Sequence, residues 1–318
     1  MLFQNARVFL FFSKILLLYS LQNEIFVLQY LQELIFYADP THPRRLLRRF
    51  MSKRERTSEI LVSLLKACAY ALAFYFSQVA LGIALSIIMP KVTDDFLISR
   101  SMELSIISNL ISVVLCVLLM RGLEKKSTCE GFSLHFDMPK PAVVLGLSIA
   151  VGVFLQYVVS FVINTATLPS AWLTELEESS ALLREGTLAS RIIALAIVAP
   201  LAEEIIFRAC IQGTLSRAMN KWVAISISSL VFGVAHGHTL GIITAIIIGF
   251  LLGWLYAQLG SIFPSMLLHL AYNLTSIFLN RLNLVIFIIS CVCLVLGIGY
   301  LIYIGITHSK KGENDEAL

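Results

Sequence analysis

Charge is what this sequence has least of. Asp, Glu, Lys and Arg make up only 14% of its 318 residues, against 58% hydrophobic residues, and the mean hydropathy is +0.85. A soluble globular chain carries about a quarter charged residues and about half apolar ones, so the shortage excludes an ordinary soluble domain. Cysteine pairs at metal or redox spacing are also missing. Of Cys68, Cys116, Cys129, Cys210, Cys291 and Cys293, five fall inside apolar segments, and the nearest two are only two residues apart. That argues against a disulfide framework or a zinc ribbon and for buried thiols. There is no HExxH, no internal repeat and no loop long enough for a soluble domain. Basic residues are not interleaved with aromatics, so the net charge of +4 points to no nucleic-acid partner. The run RRLLRR (44–49) reads as an anchor at a membrane surface.

What is abundant is apolar runs of spanning length, about 17–25 residues. From residue 60 onward they fall at 60–89, 104–120, 142–168, 190–216, 222–236, 239–259, 262–280 and 284–306. The fold class expected is all-α, a polytopic transmembrane bundle of about eight spanning helices, because only internally bonded helices satisfy the backbone in hydrocarbon. The largest connections are 121–141 and 169–189, the second of them acidic. With residues 51–59 placed in the cytoplasm, eleven Lys and Arg face inward against five outward, the bias expected of membrane proteins. Both ends of the 51–318 core then face the cytoplasm.

Residues 1–50 are apolar but broken by Lys14, Gln22, Asn23, Glu24, Gln29, Gln32 and Glu33. They read either as an interfacial amphipathic segment or as a start-site artefact, since Met51 followed by SKRERTSE has the look of a natural start. No signal-peptide pattern is present. The remaining organisation is a transmembrane region over 51–306 and a cytoplasmic tail over 307–318.

Ionisable residues inside apolar spans cost about 2.5–3.5 kcal/mol each on insertion scales and mark function by default. Three groupings stand out. In APLAEEIIFRACIQG (199–213), Glu204 and Arg208 lie four apart on one helix face and can pair. Glu203 points about 100° away and has no sequence-local partner, which makes it a candidate general base or acid. Pro200, just before it, cannot donate a helix hydrogen bond and is expected to free the carbonyl of Ala196, giving a kink or cavity. In FGVAH, Phe232 and His236 share a face, flanked by small residues that let another helix approach. In HLAYN, His269 and Asn273 lie one turn apart and could supply paired donors to an oxyanion. Taken singly, each grouping has a plain structural alternative: a buried ion pair, an interface histidine, or interhelical hydrogen bonds. Together they are the parts for activating a water and stabilising a tetrahedral intermediate.

EExxxR, FxxxH and HxxxN, in that order on successive apolar segments, resemble the CPBP intramembrane proteases, also called the Abi or CAAX-protease-like family. The resemblance covers about residues 190–280. It implies a glutamate endopeptidase in which Glu203 activates water, His236 works with it, His269 and Asn273 stabilise the oxyanion, and Glu204, Arg208 and Phe232 support them. It also implies a multi-pass protein of the bacterial plasma membrane, acting on a peptide or membrane-protein substrate in the lipid bilayer without a cofactor.

Two rivals remain at this level. One is a zinc-dependent version of the same protease, since two histidines and a carboxylate can hold zinc. The other is a non-enzymatic membrane protein, a bacteriocin-immunity factor or a transporter, because buried Glu, His and Arg also line ion pathways.

Overall fold

The computed structural model describes residues 53–88, 94–124, 140–278 and 284–315. Residues 1–50, Cys129 and most of the 121–141 connection lie outside them. The chain divides into two compact units, Met1–Leu61 and Val62–Leu318. Of the first, only the opening turns of one helix are described. Among the described residues there are ten helices and no strand.

In chain order these are α1 (Lys53–Ile88), α2 (Asp94–Ser99), α3 (Ser101–Glu124), α4 (Pro141–Thr165), α5 (Ser170–Leu183), α6 (188–218), α7 (Lys221–Val234), α8 (Thr239–Leu259), α9 (Phe263–Phe278) and α10 (Leu284–Asp315). Each of the eight apolar runs is helical over most of its described residues. Four helical stretches, Glu55–Leu85, Ser101–Leu123, Pro141–Thr165 and Thr239–Leu259, are long and apolar enough to cross a membrane, whereas Lys221–Val234 and Leu284–Tyr300 are shorter. The protein is a membrane protein built as a helix bundle.

The stretch 169–189, expected to be a loop, is largely helix. Its half-buried residues Trp172, Glu175, Leu176 and Ser179 recur at helical spacing, so one stripe faces protein while Glu177 and Glu178 stay exposed.

The centre of the bundle is α6. Ile206, Phe207, Arg208, Cys210, Ile211 and Leu215 are all at most 1% exposed. The Phe207 ring meets Phe74 of α1 and Phe232 of α7 edge to face, with centroids 5.2 and 5.1 Å away. The helix is not uniformly α. Ile192–Val198 and Glu204–Gln212 run as π-helix on either side of a short α segment, Ala199–Glu203. Such i→i+5 stretches are rare and leave carbonyls displaced from the usual register. Two of those carbonyls are taken up by neighbouring helices, as described below.

Glycines set the close approaches. A Cβ on Gly152 of α4 would come within 2.3 Å of the Leu268 carbonyl on α9, and one on Gly249 of α8 within 2.8 Å of the Phe232 ring. Gln212 of α6 donates to the Gly253 carbonyl of α8 at 2.7 Å, a contact that a side chain at 253 would obstruct.

Candidate active site

The two adjacent glutamates of α6 are reached by one imidazole from α9. His269 Nδ1 lies 3.0 Å from Glu204 Oε1, and His269 Nε2 lies 3.6 Å from Glu203 Oε2. Glu204 also takes Arg208 Nε at 3.2 Å, with both side chains fully buried. The Glu203 side chain keeps 17% exposure and His269 only 4%. The sequence spacing anticipated the Glu204–Arg208 pair. It could not show that Glu203, lacking a partner along the chain, faces His269 across 66 residues.

Arg208 is held from three sides. Besides Glu204, its guanidinium carbon sits 4.8 Å over the Phe232 ring, and Nη1 approaches Ser228 Oγ at 3.5 Å. Ser228 in turn donates to the Phe207 carbonyl at 2.7 Å, inside the second π segment. Ser228 was not singled out from the sequence. Its one signal is that it stands four residues before Phe232, on the same helix face.

The Arg208–Glu204 pair bears on how the His269 ring bonds Glu204. An ionised carboxylate can only accept, so Nδ1 carries a hydrogen and donates it to Glu204. Nε2, facing Glu203, is then bare in the neutral ring and protonated in the imidazolium. One ring nitrogen is tied and the other is left to exchange a proton with its surroundings.

Asn273 lies one turn beyond His269 and donates from Nδ2 to the Leu195 carbonyl at 2.9 Å. This corrects the expectation that Pro200 orphans Ala196. In the first π segment the Ala199 N–H bonds Ala194, five residues back. Position 200 would therefore serve Leu195, and proline has no N–H to give. Asn273 supplies that missing donor, which locks α9 against α6 and leaves its second amide hydrogen outside this bond.

His236 follows the last turn of α7, which ends at Val234, rather than lying within a longer span. Its backbone N–H bonds Gly233, and Gly237 adopts a left-handed φ of 74° that reverses the chain into α8. His236 Nδ1 meets the Phe232 carbonyl at 3.0 Å, and its ring packs edge-on against Phe232, with centroids 4.8 Å apart. The Phe232 ring also contacts His269, at 5.7 Å between centroids. Phe232 is therefore the common neighbour of Arg208, His236 and His269. Among the described residues no hydrogen bond or ion pair joins His236 directly to Glu203. No group of three His, Cys, Asp or Glu side chains among them is arranged to hold a metal ion.

With this geometry in view, similarity to known proteins falls on the same stretch. Residues 185–275 match the family described as Type II CAAX prenyl endopeptidase Rce1-like. The chain is similar to UPF0177 protein YxdF of Lactococcus lactis, 35% identical over 81 residues, which is 25% of this chain and 44% of that protein. It is also similar to "Putative membrane peptidase YdiL" of Bacillus subtilis, 38% identical over 82 residues, which is 26% of this chain and 34% of that protein. The aligned part thus spans less than half the length of either relative. No solved structure matches. Residues 185–275, the stretch similar to this family, contain all three motifs.

Proposed function

We propose that the protein is a membrane endopeptidase that hydrolyses a peptide bond of a membrane-associated or small peptide substrate, with Glu203, His236, His269 and Asn273 as its catalytic residues and no metal. The observation that carries this reading is the bridge of His269 between Glu204 and Glu203, inside the segment that matches a peptidase family.

In this mechanism Glu203, helped by His236, removes a proton from a water as the water oxygen attacks the scissile carbonyl carbon. A C–O bond forms, and the carbonyl electron pair moves onto oxygen. His269 Nε2–H and the free amide hydrogen of Asn273 stabilise that oxyanion. Because Nδ1–H is committed to Glu204, His269 can donate from Nε2 only as imidazolium, and the Glu204 carboxylate stabilises that cation. Collapse of the tetrahedral intermediate breaks the C–N bond, and the amine leaves with the proton that Glu203 had accepted. Glu204, Arg208 and Phe232 hold the ring in place.

The test is comparative peptidomics of membranes from cells expressing the native chain or Glu203→Ala, repeated after thorough chelation. Peptides that depend on Glu203 and persist after chelation support the reading. Loss on chelation overturns its metal-free form. An unchanged peptide set in Glu203→Ala overturns it altogether.

A further inference from the structure

Glu203 and His236 must address one water, yet they stand on different elements, with no hydrogen bond or ion pair between the two side chains. Besides the direct packing of α6 on α7, α5 is hydrogen-bonded to the elements on both sides. At its C-terminal end the Leu183 carbonyl accepts Arg191 Nε at 3.1 Å from the start of α6, the helix that carries Glu203. In its middle Glu175 Oε2 accepts the backbone N–H of Thr239 at 2.9 Å, across 64 residues of chain. Thr239 opens α8, directly after the turn 235–238 that carries His236.

Glu175 lies on the inward stripe of α5, between Trp172 and Leu176, while its neighbours Glu177 and Glu178 are exposed. Glu177 pairs with Arg184 at 2.7 Å within the same segment. Two donors of the first turn of α8 are taken by side chains. Glu175 takes Thr239, and His238 Nδ1 takes Gly241 N–H at 3.1 Å. The Thr239 amide, with its hydroxyl, holds the Glu175 carboxyl below the usual carboxylate range. The anion also meets the positive end of the α8 dipole.

Resting on the active-site reading above, we propose that Glu175 is a positioning residue for His236. Through it, α5 acts as a strap that fixes the turn carrying His236 relative to the helix carrying Glu203. The strap does not touch the reacting atoms. It acts by limiting where the His236 ring can sit, and a displacement near 1 Å at a catalytic group costs up to about 100-fold in rate.

The experiment compares native protein, Glu175→Ala, Glu175→Gln, Glu177→Ala and His236→Ala in detergent. It measures kcat and KM on a peptide cleaved by the native protein, and amide hydrogen exchange over 235–241. Glu175→Ala is expected to lower kcat by on the order of 10-fold with KM little changed and to speed exchange in the turn. Glu175→Gln keeps an acceptor oxygen and is expected to recover most of kcat. Glu177→Ala, which loses an exposed pair, is expected to behave as native. Full activity in Glu175→Ala alongside an inactive His236→Ala overturns the strap and leaves the active-site reading standing. Activity retained by His236→Ala instead overturns that reading, and the positioning role with it. Equal losses in Glu175→Ala and Glu175→Gln with unchanged exchange also sink the strap.

Discussion

His269 Nδ1 lies 3.0 Å from Glu204 Oε1, and the same carboxylate receives Arg208 Nε at 3.2 Å on its other oxygen. One glutamate thus serves two partners from opposite sides and is fully buried while doing so. It neutralises the arginine and fixes which nitrogen of the histidine carries a proton. The neighbouring Glu203 is partly open and lies 3.6 Å from the other nitrogen. The two acidic side chains are adjacent in sequence but differ in every respect that matters to chemistry.

That difference predicts a split between stability and activity. Glu204→Gln leaves the Arg208 guanidinium buried without a counter-charge and is expected to cost about 3–5 kcal/mol. Glu203→Gln removes a single long contact at a partly exposed side chain and is expected to change stability by under about 1 kcal/mol while abolishing proteolysis. Thermal unfolding in detergent, run beside a peptide-cleavage assay, reads both. Equal stability losses in the two variants would contradict this division of labour.

Asn273 and Pro200 are predicted to be energetically coupled. Asn273→Leu orphans the Leu195 carbonyl and should cost about 1–3 kcal/mol. In a Pro200→Ala background the new N–H can bond Leu195 within the helix, so the same substitution should cost at least about 1 kcal/mol less. A double-mutant cycle on unfolding free energies gives the coupling directly. Strict additivity would mean that the proline is not the reason Leu195 needs a donor.

Much of this was legible in the sequence, and the parts that were not have a common cause. The apolar runs gave every spanning-length helix because hydrocarbon forces a simple rule of length and composition. The spacing of Glu204 and Arg208 gave their pair because both lie on one helix. The partner of Glu203 was invisible because it comes from α9, and helix-to-helix placement leaves no mark in local spacing. The carbonyl facing Pro200 is shifted by one residue from the α-helical count because the π register of Ile192–Val198 is set by packing rather than by any residue pattern. The sequence of α5 reads as a loop because its acidic face masks an inward stripe of only a few residues. The role of His238 as the cap of α8 is likewise a matter of the turn around Gly237.

Acid should undo the α7–α8 turn in two stages. Burial first, and then the nearby His236, hold His238 below its ordinary pKa, against an opposing pull from Glu175. The folded turn therefore binds fewer protons than the unfolded chain below about pH 6.5, and its stability falls as pH drops through that region. The chemical reason is that protonation removes the Nδ1 lone pair that caps Gly241. The Glu175 carboxyl is also lowered, so the stability from its bond to Thr239 is complete above about pH 4.3 and is lost only below it. Amide exchange, corrected for its intrinsic pH dependence, should show Gly241 losing protection before Thr239 as pH is lowered from 8 to 4. The reverse order would contradict both assignments.

The most remote prediction concerns Gly152, which touches none of the proposed catalytic groups. A methyl there would meet the Leu268 carbonyl at 2.3 Å, with Ala271 Cβ and Tyr272 N at 3.0 Å. All three belong to α9, and two are backbone atoms that no rotamer change can move aside. An ordinary carbon–oxygen contact needs roughly 1 Å more, so Gly152→Ala must push α9 away from α4. His269 follows Leu268 directly, and its ring is held between two carboxylates at 3.0 and 3.6 Å. The expected result is a stability loss of about 1–3 kcal/mol from overpacking, with a fall in kcat on the order of 10- to 100-fold. Gly146 supplies the control. It lies on the same helix, nothing stands within 4 Å of where its Cβ would be, and Gly146→Ala should be neutral or stabilising by up to about 1 kcal/mol through helix propensity. If Gly152→Ala cleaves peptide as fast as Gly146→Ala, the seating of α9 against α4 does not set the position of His269, and the ring is held by Glu204 alone.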